Sequence, residues 1–163
     1  MLAPELKDFL ARLKPITAFE WAEAKCVACH ASPTDPLYRY LPKTAPVTLW
    51  KSELFAVHQP DFLFLGPTHL PMKAHFRRTP VVKPGSVGHA KHGDPRAAYG
   101  VWENGEVTLR REEYDVEETI RGYADRGVEP HILNLLTQVL RIGGELSSER
   151  FQLLPEKTHH GQT

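Results

Sequence analysis

Phe62-Leu63-Phe64-Leu65-Gly66-Pro67-Thr68-His69-Leu70-Pro71 joins four consecutive apolar residues to a Gly-Pro break and a polar turn. An apolar run of this length, bounded by breakers, suits a strand covered on both faces, as in a parallel sheet. Gly66 and Pro67 end it. Thr68 and His69 then stand at the carboxyl end of a central strand, where open α/β sheets place their ligands.

Upstream, Val47 to Gln59 predicts a helix with Leu49, Trp50, Leu54 and Val57 able to face a sheet, stopped by Pro60. Lys25 to Ala31 alternates as a strand ending on His30, so residues 25–65 read as strand, helix, strand, a unit that is nearly always right-handed and parallel. Ile16 to Trp21 predicts another strand, joined to it by a tight turn through Ala22-Glu23-Ala24. Pro4 to Lys14 predicts a short amphipathic helix with Leu6, Phe9, Leu10 and Leu13 on one face. Between His30 and the second helix, prolines at 33, 36, 42 and 46 predict an ordered, irregular loop.

Downstream, Met72 to Arg77 alternates as an edge strand and turns at Arg78-Thr79-Pro80 into the strand Val81 to Lys83. Gly85 to Gly93 is a loop. Ala97 to Glu103 and Glu106 to Tyr114 form a hairpin, because Asn104-Gly105 is the favoured pair for a type I′ turn. Asp115, with Glu118 three residues on, caps a helix from Val116 to Arg126 that Gly127 ends. A second helix spans Pro130 to Arg141. The chain reads as one domain over residues 1–144, followed by a flexible tail over 145–163 in which His159 and His160 are expected to be terminal disorder rather than ligands.

Lys and Arg total 20 and Asp and Glu total 20, so no net field draws the chain to nucleic acid or to an anionic membrane. No apolar run is long enough to span a bilayer, and the first fifteen residues alternate charge with apolar side chains. A cytoplasmic protein without a signal peptide is the expectation. The only two cysteines lie in Cys26-Val27-Ala28-Cys29-His30, which has the spacing of c-type haem attachment. Haem attachment takes place outside the cytoplasm, and the same residues alternate as a strand carrying two small buried thiols. A redox or metal role for the pair is a third reading.

The stretch ending in Thr68-His69 resembles the Gly-His-x-His motif of the calcineurin-like metallophosphoesterases, with Pro67 in the place of its first histidine. Val81-Val82-Lys83-Pro84-Gly85-Ser86 is similar to that family's Asn-Pro-Gly-Ser strand end, and Gly93-Asp94-Pro95-Arg96-Ala97-Ala98-Tyr99 to the segment after it. His30-Ala31-Ser32-Pro33 with Asp35-Pro36-Leu37 resembles its Val-His-Gly-Ser-Pro region. The likeness runs in family order from about residue 10 to 127. It implies an α/β fold, the C-terminal half of a four-layer αββα sandwich, with a mixed sheet flanked by helices.

The resemblance further implies metal-dependent hydrolysis of phosphate mono- or diesters, with Mn, Fe, Zn or Ni as cofactor and a phosphorylated small molecule as substrate. Such enzymes hold two metals about 3.5 to 4 Å apart and need a bridging carboxylate between them. Residue by residue, the family's metal ligands carry over to His30 and His69, and its substrate-binding region to Arg39, Ser86 and Arg96. The motifs Asp-x-His, Gly-Asp-x-x-Asp and Gly-Asn-His-Asp, which supply the remaining ligands, do not occur. Lys83 replaces the usual Asn, and Pro67 carries no side-chain donor atom.

Two further expectations concern neighbouring groups. His75, His89 and His92 are expected on neighbouring loops, where they could rebuild a site with His30 and His69, the alternative being exposed or hydrogen-bonded loop histidines; Asp94 and Arg96 read as a loop-fixing ion pair. A non-catalytic binding or assembly module with a degenerate metal site competes with the enzyme reading, and haem-based electron transfer comes third. The helices at 47–59 and 116–141 can cover one face of the sheet, leaving the other bare. A homo-oligomer or a separate N-terminal half is therefore the expected partner.

Overall fold

The computed structural model describes residues 2–145, and the predicted tail from 146 to 163 lies outside the described residues. Helix α1 (Pro4–Ala11) leads into strands β1 (Ile16–Trp21) and β2 (Ala24–Cys29). Helix α2 (Val47–Ala56) crosses to β3 (Phe62–Leu65), followed by β4 (Met72–Phe76) and β5 (Thr79–Lys83). The hairpin β6 (Ala97–Glu103) and β7 (Glu106–Glu112) and the helices α3 (Val116–Asp125) and α4 (Pro130–Ile142) complete the chain.

The five-stranded sheet has the order β1-β2-β3-β5-β4. β3 sits at its centre and pairs in parallel with both β2 and β5, which is why its four residues are apolar without alternation. β1 and β4 are antiparallel edge strands. The sheet is therefore mixed, as expected, and β4 takes its predicted edge position.

Element limits move by a few residues for local reasons. The β1–β2 turn needs only Ala22 and Glu23, both at positive φ, and the first helix stops at Ala11 rather than Lys14. α2 ends at Ala56, three residues before Gln59, because His58 and Gln59 adopt left-handed φ values of 58° and 52° and Gln59 N–H donates back to Leu54 O at 2.8 Å. The β4–β5 turn falls at Arg77, with φ of 59°, so Thr79 and Pro80 belong to β5.

Two packed clusters mark the two faces. On one, Trp50 and Leu54 of α2 meet Val27, Cys29, Leu63, Leu65, Met72 and Val81, with Trp50 stacked on Phe76 at 4.5 Å between ring centroids. On the other, Cys26, Phe62 and Val82 lie under Val107, and Trp102 sits 4.4 Å from Phe62 and 6.2 Å from Phe64. The expected bare second face is thus partly covered, by the β6–β7 hairpin. The expectation that residues 116–141 help to cover the sheet is not met: α3 and α4 pack on each other, with Arg141 forked onto Glu117 at 2.7 and 2.9 Å. The end of α4 is tied to the preceding loop by Gly93 N–H donating to Gly143 O at 2.7 Å.

The cysteine pair resolves in the same way. Three residues apart on one strand, Cys26 and Cys29 point to opposite faces and join different clusters. One haem cannot take both sulfurs through the sheet, and about 10 Å of strand separates their Cα atoms, too far for a disulfide. Burial pushes both thiols up, with a further push on Cys29 from Glu53 that brings it to about 11. They are structural thiols.

Candidate functional site

The carboxyl ends of β2 and β3 are adjacent because the strands are parallel neighbours, and they present His30 and the turn 66–69 side by side. Gly66 N–H donates to His30 O at 2.9 Å, extending the pairing past the last strand residues. His30 is exposed, with Tyr40 edge-on at 6.2 Å. His69 has a left-handed φ of 55°, a sparsely populated conformation for a non-glycine residue and one that recurs at functional turns.

The His69 ring is oriented by a backbone partner. Its Nδ1 lies 2.7 Å from His89 O, and since a carbonyl only accepts, Nδ1 carries a proton and Nε2 is the ring nitrogen outside this bond. This is how ligating histidines are commonly held. The His89 ring stands edge-on to His69 at 5.5 Å and is held below the usual imidazole range by burial, then by His69 and Lys91. His89 is therefore neutral at neutral pH.

The irregular loop after His30 is fixed from two sides by buried charged groups that sequence reading missed or misassigned. Glu53 on α2 has no exposed surface, and its carboxylate accepts from Thr34 N–H at 2.9 Å and Thr34 Oγ1 at 2.7 Å, with Arg39 Nη1 at 3.4 Å. Its sequence signal was the spacing Trp50, Glu53, Leu54, which puts a carboxylate on the apolar side of the helix. Lys83 is also buried. It does not reach toward the candidate site: Nζ donates to Leu41 O and lies over the Trp50 ring, and burial lowers its basicity.

The remaining sequence candidates are spread along the same end. Arg39 is half exposed and partnered by Glu53 and Thr34 Oγ1. Ser86 Oγ accepts from His89 N–H at 2.9 Å, next to Gly85, whose φ of 105° and close approach to Ala98 leave no room for a Cβ. Arg96 is forked onto Asp94 at 2.7 to 3.2 Å, with Arg111 at 3.4 Å from the same carboxylate. Its hydrogen bonds and charge hold Asp94 far below the usual carboxylate range, as a loop-fixing pair requires.

His92 Nε2 accepts from Arg111 Nε at 3.1 Å, and His75 lies on edge strand β4 rather than on a loop. Pro67 is buried. Among the described residues, no three His, Cys, Asp or Glu side chains gather to hold a metal ion. The donors present are two imidazoles on neighbouring strand ends. By themselves they do not fit a two-metal centre, which needs a bridging carboxylate.

Comparison with known proteins gives the fold its context. No family model matches the chain, and no curated protein matches it. Among solved structures, a metallophosphoesterase from Sphaerobacter thermophilus superposes with a TM-score of 0.70 at 22% identity, over 87% of this chain and 64% of that one. The chain has a metallophosphoesterase-type fold. A hypothetical protein from Pyrococcus horikoshii superposes with a TM-score of 0.73 at 17% identity, over 87% of this chain and 56% of that one. The chain thus spans 56% and 64% of the length of these two proteins. Among its described residues, no helix is long and apolar enough to cross a membrane.

Proposed function

We propose that this chain supplies one half of a metal-dependent phosphoesterase, contributing His30 and His69 as metal ligands, and that hydrolysis of phosphate mono- or diesters requires carboxylates from another polypeptide segment. The observation that carries the reading is the pair of histidines following adjacent parallel strand ends, with the His69 ring oriented by the bond from Nδ1 to His89 O. A bound Mn, Fe, Zn or Ni pair would polarise the phosphoryl group and activate water. Among the described residues Arg39 bonds Glu53 and Thr34 through Nη1, and its remaining N–H groups would suit a phosphate oxygen in bidentate fashion. Ser86 and Arg96 shape the facing loop.

The test is turnover of p-nitrophenyl phosphate and of its bis-ester with manganese. The isolated chain is expected to be no faster than its His69→Ala variant. Robust turnover that His69→Ala abolishes would mean that one chain holds a complete site, and the divided-site reading would fall.

A second reading, a non-catalytic binding or assembly module, is favoured by Pro67 and by the burial of Lys83 against Leu41 O. It predicts that no added segment confers turnover.

A further inference from the structure

The end of the sheet opposite His30 and His69 holds a cleft that the candidate site does not use. It lies between the last turns of α2 and the β4–β5 turn, has a volume of about 650 Å³, and is lined by Lys51, Leu54, Phe55, Phe76, Arg77 and Arg78 among others. That volume falls in the range of roughly 300 to 1,000 Å³ that small-molecule sites occupy. Its floor is closed. Leu54 and Thr79 are buried, and Thr79 Oγ1 donates to Pro60 O at 2.7 Å, tying the start of β5 to the segment before β3. Phe55, 73% exposed, stands on the α2 side.

The cleft collects positive charge in a chain whose formal charges cancel. Arg96, Arg110, Arg111, Arg121 and Arg141 each pair with a carboxylate, whereas among the described residues Lys51, Arg77 and Arg78 make no ion pair. Asp61, the one carboxylate in the lining, accepts Lys25 N–H at 2.8 Å and is held at the start of β2. The three cations do not serve the end of α2 either. Leu54 O accepts from Val57 and Gln59 N–H, and Phe55 O from His58 N–H, so the backbone already partners these carbonyls. Two successive guanidinium groups and an ammonium around a concave, partly apolar cleft concentrate anions, and a guanidinium matches phosphate oxygens in bidentate fashion.

We propose that this cleft binds a small organic phosphate with an aromatic or heterocyclic ring, a molecule of the size of a nucleoside monophosphate, with Arg77, Arg78 and Lys51 on the phosphate and Phe55 against the ring. Inorganic phosphate would leave most of the volume empty, and a neutral ring would leave the three cations without a counter-charge. Binding here needs no metal and does not depend on the divided-site reading of His30 and His69.

The test is calorimetric titration of the 163-residue chain in EDTA with adenosine 5′-monophosphate, beside adenosine and inorganic phosphate. The monophosphate is expected to bind at least roughly tenfold more tightly than either fragment. Arg77→Gln combined with Arg78→Gln, both at exposed positions, is expected to weaken its binding by at least roughly tenfold. Phe55→Ser is expected to weaken it by at least roughly threefold, with circular dichroism unchanged. If the double variant loses its circular dichroism, Lys51→Gln on the exposed side of α2 takes its place, with an expected loss of at least roughly threefold. His69→Ala is expected to leave binding unaltered. No binding of the monophosphate, equal affinities for it and either fragment, an affinity that survives removal of the cations, or binding lost in His69→Ala would each overturn the proposal.

Discussion

The two faces of the central sheet are built from the same strands and end in opposite conditions. On the α2 face, Trp50, Leu63 and Val81 have no exposed surface, and even the charged groups are partnered, Glu53 by Thr34 and Lys83 by Leu41 O. On the hairpin face, Cys26 and Val82 are buried at the centre while Phe19 and Trp21 stay open at the margin. The difference lies in the cover. A helix ten residues long spans the middle of a five-stranded sheet, whereas two strands cover only their own width. The closed face carries most of the chain's packing, and the open margin leaves two large aromatic rings in water.

The largest effect should separate the faces directly. Trp50→Ala removes a fully buried ring stacked on Phe76 and is expected to cost about 3 to 5 kcal/mol in urea unfolding. Trp102→Ala, which removes a partly exposed ring at the centre of the hairpin contact, should cost about 2 kcal/mol. Equal losses would mean that the hairpin face is as closed as the helix face.

Lys83 sharpens the contrast through pH. Burial lowers its basicity, so near its titration the unfolded chain binds more protons than the folded one, and the contribution of this residue to stability rises with pH toward the ordinary lysine value of 10.5. The stability of the wild type relative to Lys83→Met should therefore increase as pH is raised into that range. A decrease would show that the Leu41 carbonyl and the Trp50 ring hold the ammonium better than water does.

The smallest effect belongs to the open margin. Trp21→Ala in the isolated chain should change stability by no more than about 0.5 kcal/mol, since most of that ring is already in water. A loss near that of Trp50→Ala would mean that this margin is covered in solution.

Much of the site was legible in the sequence because its signals are local. His30 follows β2 and His69 stands in the turn after β3, strands that their apolar residues and breakers announce, and Asn104-Gly105 and Asp115 mark their turn and cap. Glu53 was not legible as a loop anchor, since nothing within α2 says that Thr34, nineteen residues earlier, would bring its N–H and hydroxyl to the carboxylate. Lys83 stands in the place of the family's Asn in the sequence, but residue alternation along β5 puts it on the face of Val81, against α2.

The sequence by itself determined the elements, the parallel centre at Phe62–Leu65, and the absence of the motifs that would complete a two-metal site, because each depends on residues close together along the chain. Only the tertiary structure decided which surfaces stay open. Whether α3 and α4 cover the sheet or each other, whether the hairpin crosses the second face, and which face takes each cysteine depend on packing among residues far apart in the chain. Such packing is settled by how much apolar area each element can bury, a quantity that no single stretch of sequence carries.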